Sequence, residues 1–118
     1  MIVDDDPSII IAIRELFEKE GYHVYTVTSG TECIQELEEG FKGVILLDIM
    51  MPIMDGWETI KEIVQKDLQK GNIITILTAK YAPDSNIEEY KEYIKDYITK
   101  PFNPTELINI VHDYYNDL

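Results

Sequence analysis

Cysteine occurs once, at Cys33, so the chain has no internal disulfide. With no histidine near it in sequence, Cys33 reads as a small buried apolar group and not as a catalytic thiol. The compartment expected is cytoplasmic. Long apolar runs are also missing. The longest, Ile9–Ile13 and Val44–Leu47, fall far short of a membrane span. An acidic triplet follows within a few residues of the N-terminus, so no secretory leader is expected. Basic residues are few: Lys and Arg total 10 against 23 Asp and Glu, a formal charge of −13. Such a surface repels nucleic acid and anionic membranes. No Lys or Arg follows Lys100, so the last helix has no basic face, and direct nucleic-acid or membrane binding is not expected. Repeats, low-complexity segments and interdomain linkers are absent as well. His23 and His112 have no metal-ligand spacing with any other residue.

What is present is a chain of 118 residues, 45% hydrophobic, enough for one domain over residues 1–118 with a real core. Short apolar runs alternate with amphipathic stretches. Strands are expected at Ile2–Val3, Tyr22–Val27, Gly43–Asp48, Asn72–Leu77 and Asp96–Thr99. The run Gly43–Asp48 is continuously apolar up to its final acid, as a strand buried on both faces should be. Helices are expected at Ile9–Glu20, from Ser29 through Glu38, at Asp55–Leu68, at Ser85–Ile94, and from Pro104 to about Asn116. Ser29-Gly30-Thr31-Glu32 has capping-box spacing, and Asn103-Pro104 pairs an N-cap with proline at the first helical position. A βα unit repeated five times implies an open parallel sheet with helices on both faces and right-handed connections.

In such sheets the functional site lies at the carboxyl ends of the strands. Those ends carry Asp4-Asp5-Asp6, Asp48, Thr78-Ala79 and Thr99-Lys100-Pro101. Carboxylates crowded together repel one another, and a hard divalent cation such as Mg²⁺, with a few carboxylates and several waters, resolves the conflict. A lysine from another strand adds the charge needed to hold a phosphoryl group and its transition state. Asp48 then reads as a nucleophile forming an aspartyl phosphate, with the Thr78 hydroxyl donating to a phosphoryl oxygen.

These motifs together resemble the receiver domain of two-component response regulators, over essentially the whole chain. The residues that carry the resemblance are Val3-Asp4-Asp5-Asp6-Pro7, Leu47-Asp48-Ile49-Met50-Met51-Pro52, Met54-Asp55-Gly56, Leu77-Thr78-Ala79 and Tyr97-Ile98-Thr99-Lys100-Pro101-Phe102. The resemblance implies a flavodoxin-like (βα)5 three-layer sandwich with strand order 2-1-3-4-5. It implies Mg²⁺-dependent phosphoryl transfer from a sensor histidine kinase or histidine phosphotransfer protein to Asp48. On this view the domain is a signalling phosphoacceptor that catalyses its own phosphorylation and dephosphorylation, and is not an enzyme acting on other substrates. Asp4, Asp5, Asp48 and the backbone carbonyl of Met50 would hold the metal, with Asp5 the direct ligand of the acidic pair. Lys100 would pair with the phosphoryl group, and the Lys100-Pro101 bond would be cis. Thr78 and Tyr97 would form a switch that remodels the surface of the fourth helix, fifth strand and fifth helix. A downstream output protein or domain would read that surface. Met50 and Lys80 fall where the family tunes water access. Being large and unable to orient a water, they are expected to lengthen the phosphoryl lifetime. The missing basic residue on the last helix argues against the ion-paired dimer of many DNA-binding relatives.

Two departures stand out. The first strand is short, and Tyr93-Ile94-Lys95 replaces the family's usual small pair before the fifth strand. Blander readings also exist for these residues. Asp6 reads as an exposed helix cap and not as a ligand. Met50, Met51 and Met54 read as packing or covering groups. The tyrosines of the last third, including Tyr81, Tyr90 and Tyr93, divide between half-buried packing and a docking face. A flavin electron carrier on this fold would need a hydroxyl-rich phosphate loop where the three aspartates stand. An aspartyl phosphohydrolase would need an acid where Met50 stands. An inert scaffold would take no phosphate on Asp48.

Overall fold

The computed structural model describes residues 1–79 and 85–118, without the side chain of Ser85. Five parallel strands form one sheet in the order β2-β1-β3-β4-β5. The strands are β1 Ile2–Val3, β2 Thr26–Val27, β3 Gly43–Leu47, β4 Asn72–Thr78 and β5 Ile94–Thr99. The helices are α1 Pro7–Glu18, α2 Gly30–Glu38, α3 Gly56–Gln65, α4 Ser85–Tyr90 and α5 Pro104–Tyr115, with a 3-10 turn at Lys91–Tyr93. Lys80 and Tyr81 lie outside the described residues.

The alternation of side chains along each strand divides the core into two layers. Val3, Ile45, Leu47, Ile74 and Ile76 pack with Cys33, Ile34 and Leu37 of α2 and Trp57, Ile60 and Ile63 of α3. Ile2, Val44, Leu46 and Leu77 pack with Ile10, Ile13 and Phe17 of α1 and Leu107, Val111 and Tyr114 of α5. Each fully buried aliphatic side chain contributes about 1.5–3 kcal/mol by leaving water. The result is the three-layer sandwich and the strand order that the family resemblance implied. Cys33 is buried and free. Burial pushes its thiol up to about 12, so it is inert at neutral pH. No described helix is long and apolar enough to cross a membrane.

Several element boundaries differ from expectation, among them α3, which ends at Gln65 and not at Leu68, and α1, which ends at Glu18 and not at Glu20. Helix α1 starts at Pro7 because the Asp6 side chain accepts from the Ser8 amide, placing proline at the first helical position. Strand β2 is only Thr26–Val27, since its partner β1 offers only Ile2 and Val3 to pair with. Strand β5 begins at Ile94, two residues early, because a bulge separates the pairs Ile74–Ile94 and Thr75–Asp96. Helix α4 stops at Tyr90 and tightens into the 3-10 turn. The capping spacing at Ser29 holds in part. Its hydroxyl accepts from the Glu32 amide at 3.2 Å, but the Glu32 carboxylate takes the Thr28 hydroxyl at 2.8 Å. A complete capping box occurs at Asp55 and Glu58, opening α3. At the far end, Asn103 caps α5 as its sequence predicts.

Candidate phosphoacceptor site

The ladder that builds the sheet also brings the site together. The Asp48 amide donates to Val3 O at 2.9 Å, the Asp4 amide to Val27 O at 3.2 Å, and the Lys100 amide to Thr78 O at 2.8 Å. Asp4, Asp48 and Lys100 thus each sit one position beyond a strand end, and Thr78 is itself the last residue of β4, all at the carboxyl end of the sheet. Asp4 and Asp48 are almost completely buried, at 3% and 6% exposure, while Asp5 is exposed. One carboxylate oxygen from each of Asp4, Asp5 and Asp48 lies within 4.8 Å of the others. An all-oxygen, all-anionic donor set of this span suits a hard divalent cation.

Lys100 Nζ reaches across from the end of β5. It lies 2.6 Å from Asp4 Oδ2 and 3.7 Å from Asp48 Oδ2, with its side chain only 14% exposed. The other oxygen of Asp48 is held by two donors: the Thr78 hydroxyl at 2.7 Å and the Met50 amide at 3.0 Å. Asp4 Oδ1 accepts from the Asp6 amide at 2.9 Å. Two buried carboxylates are therefore each hydrogen-bonded and share one ammonium, which is how buried charge is tolerated. Asp6 is turned away from them. Its carboxylate takes the Ser8 hydroxyl at 2.6 Å and the Ser8 amide at 3.0 Å. Those hydrogen bonds, the hydroxyl's first, hold its carboxyl below the usual carboxylate range.

The structure thus brings together Asp4, Asp5, Asp48, Thr78 and Lys100, and leaves Asp6 as a cap. Tyr97 is half-buried on β5, opposite Ile76, and packs against the α2–α3 side of the core. The Met50 side chain is 57% exposed. The Lys100-Pro101 bond is cis.

Sequence reasoning missed two supports. The first is Gly56. A Cβ there would lie 2.5 Å from Ile49 Cα and 2.7 Å from Asp48 O, so only glycine lets α3 approach the Asp48 backbone. The signal was visible as a glycine directly after the capping Asp55, inside a helix start. The second is a partly buried relay on the opposite face of the sheet. The Thr75 hydroxyl donates to the Tyr114 hydroxyl at 2.9 Å, which donates in turn to Asp96. It ties α5 to β4 and β5, and burial raises the Tyr114 phenol well above its usual value. No sequence signal links those positions.

Residues 1–112 match the family described as the response regulator receiver domain. Response regulator SaeR of Staphylococcus aureus (strain USA300) is 39% identical over 108 residues, which is 92% of this chain and 46% of that protein. The chain spans about half the length of such relatives. A CheY-like response regulator receiver domain protein from Methanospirillum hungatei JF-1 superposes with a TM-score of 0.90 at 47% identity, covering 97% of this chain and 90% of that one. Response regulator protein TrrA from Thermotoga maritima, solved in complex with Mg(2+)-BeF, superposes with a TM-score of 0.80 at 32% identity, covering 95% and 94%. With the strand order, the acidic cluster and the lysine already in place, these matches mean that the chain belongs to the response regulator receiver domain family, the phosphoacceptor domains of two-component signalling.

Proposed function

We propose that residues 1–118 act as one cytoplasmic receiver domain whose phosphoacceptor is Asp48, supplied by a sensor histidine kinase or histidine phosphotransfer protein. The observation that carries this reading is the pairing of one ammonium, Lys100, with two buried carboxylates, Asp4 and Asp48, beside an exposed third, Asp5. An Asp48 carboxylate oxygen attacks phosphorus while the bond from phosphorus to the donor nitrogen breaks, its electron pair leaving with the imidazole. Lys100 offsets the charge that arrives with the phosphoryl group. The Thr78 hydroxyl gives up Asp48 for a phosphoryl oxygen, a more highly charged acceptor. Asp4, Asp5, Asp48 and the Met50 carbonyl would hold Mg²⁺, which would supply further positive charge at the phosphoryl oxygens. The same residues serve hydrolysis, a separate step in which water attacks phosphorus, the bond to the Asp48 oxygen breaks, and the carboxylate and inorganic phosphate are released. The direct test is intact mass after incubation with Mg²⁺ and phosphoramidate, where a gain of one alkali-labile phosphoryl group is expected.

The metal assignment makes its own prediction. Asp5→Ala should weaken Mg²⁺ binding by tenfold or more, while Asp6→Ala should leave it within about twofold. Asp6→Ala should instead cost about 1 kcal/mol of stability, the usual effect of deleting a helix N-cap. Calorimetric Mg²⁺ titration and urea unfolding of both variants separate the two roles. Equal metal affinities would remove Asp5 from the ligand set.

The output side follows from Thr78 and Tyr97. Movement of the Thr78 hydroxyl alters packing at the end of β4, and Tyr97 lies on the neighbouring strand. The shift in population can be no larger than the differential stabilisation by the phosphoryl group. Phosphorylation should therefore move amide NMR signals around Tyr90–Tyr97 and Asn109–Tyr115. Shifts confined to the pocket would indicate a phosphate sink without an output surface. Helix α5 carries no Lys or Arg, so the reader of this surface is a downstream output protein or domain and not a second copy joined by ion pairs. Met50, with its flexible exposed side chain, remains the described candidate for slowing water attack on the aspartyl phosphate.

A further inference from the structure

The loop from β3 to α3 contains a backbone anomaly that the phosphoacceptor chemistry does not use. The Met54 amide donates to Pro52 O at 2.7 Å, closing a three-residue γ-turn with Ile53 at its centre. Ile53 has φ +67°, the left-handed region that a β-branched residue avoids. Strain of this kind persists where surrounding structure enforces it or function rewards it. Packing does not reward it here, because Ile53 is fully exposed, at 103%. Its neighbour Met54 turns inward, with its sulfur against the Thr31 hydroxyl at 3.9 Å. The turn therefore throws a large apolar side chain into water at a position where glycine would be unstrained.

The location identifies what the side chain meets. The same loop walls the phosphoacceptor, since the Met50 amide holds Asp48 Oδ1 at 3.0 Å. Asp48 is recessed, at 6% exposure, so a macromolecular donor must bring its surface onto the rim to insert its phosphohistidine. That rim presents two exposed apolar side chains on one short loop, Met50 at 57% and Ile53 at 103%. Among the described residues this loop offers a donor apolar contact, whereas the β1–α1 loop presents the exposed acidic pair Asp5 and Asp6. From these observations we infer that Ile53 is a docking anchor for the histidine-phosphorylated donor protein, held out by the strained turn to enter an apolar recess beside the donor's histidine. This rests on the phosphoacceptor reading of Asp48, and the experiment keeps the two apart.

The test compares wild type, Ile53→Gly and Ile53→Asp with two donors. One is phosphoramidate, which is too small to need docking. The other is the autophosphorylated cytoplasmic core of a histidine kinase, chosen from a panel as the fastest donor to the wild type. With phosphoramidate, all three proteins should be phosphorylated at the same rate. With the kinase core, kcat/KM should fall at least tenfold for Ile53→Gly and further for Ile53→Asp. Ile53→Gly should at the same time raise Tm by a few degrees, because glycine relieves the turn and no packing is lost. Slower kinase transfer in a more stable protein cannot come from damaged folding. Unchanged kinase transfer in both variants would overturn the inference. So would a panel in which no kinase core phosphorylates a wild type that accepts phosphoramidate readily. A wild type that accepts from neither donor would overturn the phosphoacceptor reading itself.

Discussion

Asp48→Asn should take no labile phosphate from phosphoramidate in the presence of Mg²⁺, with a rate at least about 1000-fold below wild type, equivalent to roughly 4 kcal/mol in the barrier. The substitution keeps the shape of the side chain and one carbonyl oxygen. That oxygen can still accept from the Thr78 hydroxyl and the Met50 amide, which bind Asp48 at 2.7 and 3.0 Å. What disappears is the anionic oxygen that would form the new bond to phosphorus. Stability should change little, because a buried negative charge is removed from a cluster of three carboxylates while Lys100 keeps Asp4 at 2.6 Å. A loss of phosphorylation without a loss of stability is the signature of a nucleophile. Intact mass and thermal unfolding on the same samples read both. The same labile phosphate appearing at the same rate would rule Asp48 out as the acceptor.

How much of this was legible in the sequence depends on how local each cause is. The β3 run ending in Asp48 could be read directly, because continuous apolarity demands burial on both faces and the acid marks the carboxyl end. The cap at Asn103 was equally local. The start of α1 differs for the opposite reason: the apolar spacing begins only at Ile9, and the reading of Asp6 as a cap does not by itself place the first helical residue at Pro7. The Tyr22–Val27 strand was overextended, because alternation describes a strand but says nothing about the length of its partner, and β1 pairs through only Ile2 and Val3. At the fifth strand, the odd Tyr93-Ile94-Lys95 segment flagged altered geometry without revealing the bulge that starts β5 at Ile94. In the site, the convergence of Asp4, Asp5, Asp48, Thr78 and Lys100 followed from topology alone, since parallel strands place all their carboxyl ends together. The turn at Ile53 stayed hidden because no glycine or asparagine announces a positive φ there. The Thr75–Tyr114–Asp96 relay stayed hidden because it joins positions 39 and 18 residues apart through packing.

Lys100→Met should separate the two things this lysine does. Its ammonium lies 2.6 Å from Asp4 and 3.7 Å from Asp48, both nearly buried. Removing it leaves two buried carboxylates without a cation, a change that typically costs about 3–5 kcal/mol. Metal-free Lys100→Met should therefore unfold at a markedly lower urea concentration than wild type. The same change removes a competitor for the carboxylates that would ligate the metal. Mg²⁺ should bind the variant about tenfold more tightly or better, and it should restore much of the lost stability. At a hundred times the dissociation constant, binding contributes about 2.7 kcal/mol. Phosphotransfer should nonetheless fall by roughly 100- to 1000-fold, the usual loss when one preorganised charge at a developing anion is removed. Tighter metal binding with slower transfer is a pair of opposite movements that a damaged fold would not produce, since a loosened pocket weakens both. Mg²⁺ titration by calorimetry, urea unfolding with and without Mg²⁺, and phosphoramidate kinetics measure the three terms. Weaker metal binding alongside slower transfer would make Lys100 a structural support of the pocket. Tighter binding with unchanged transfer would mean that the phosphoryl group finds its counter-charge elsewhere.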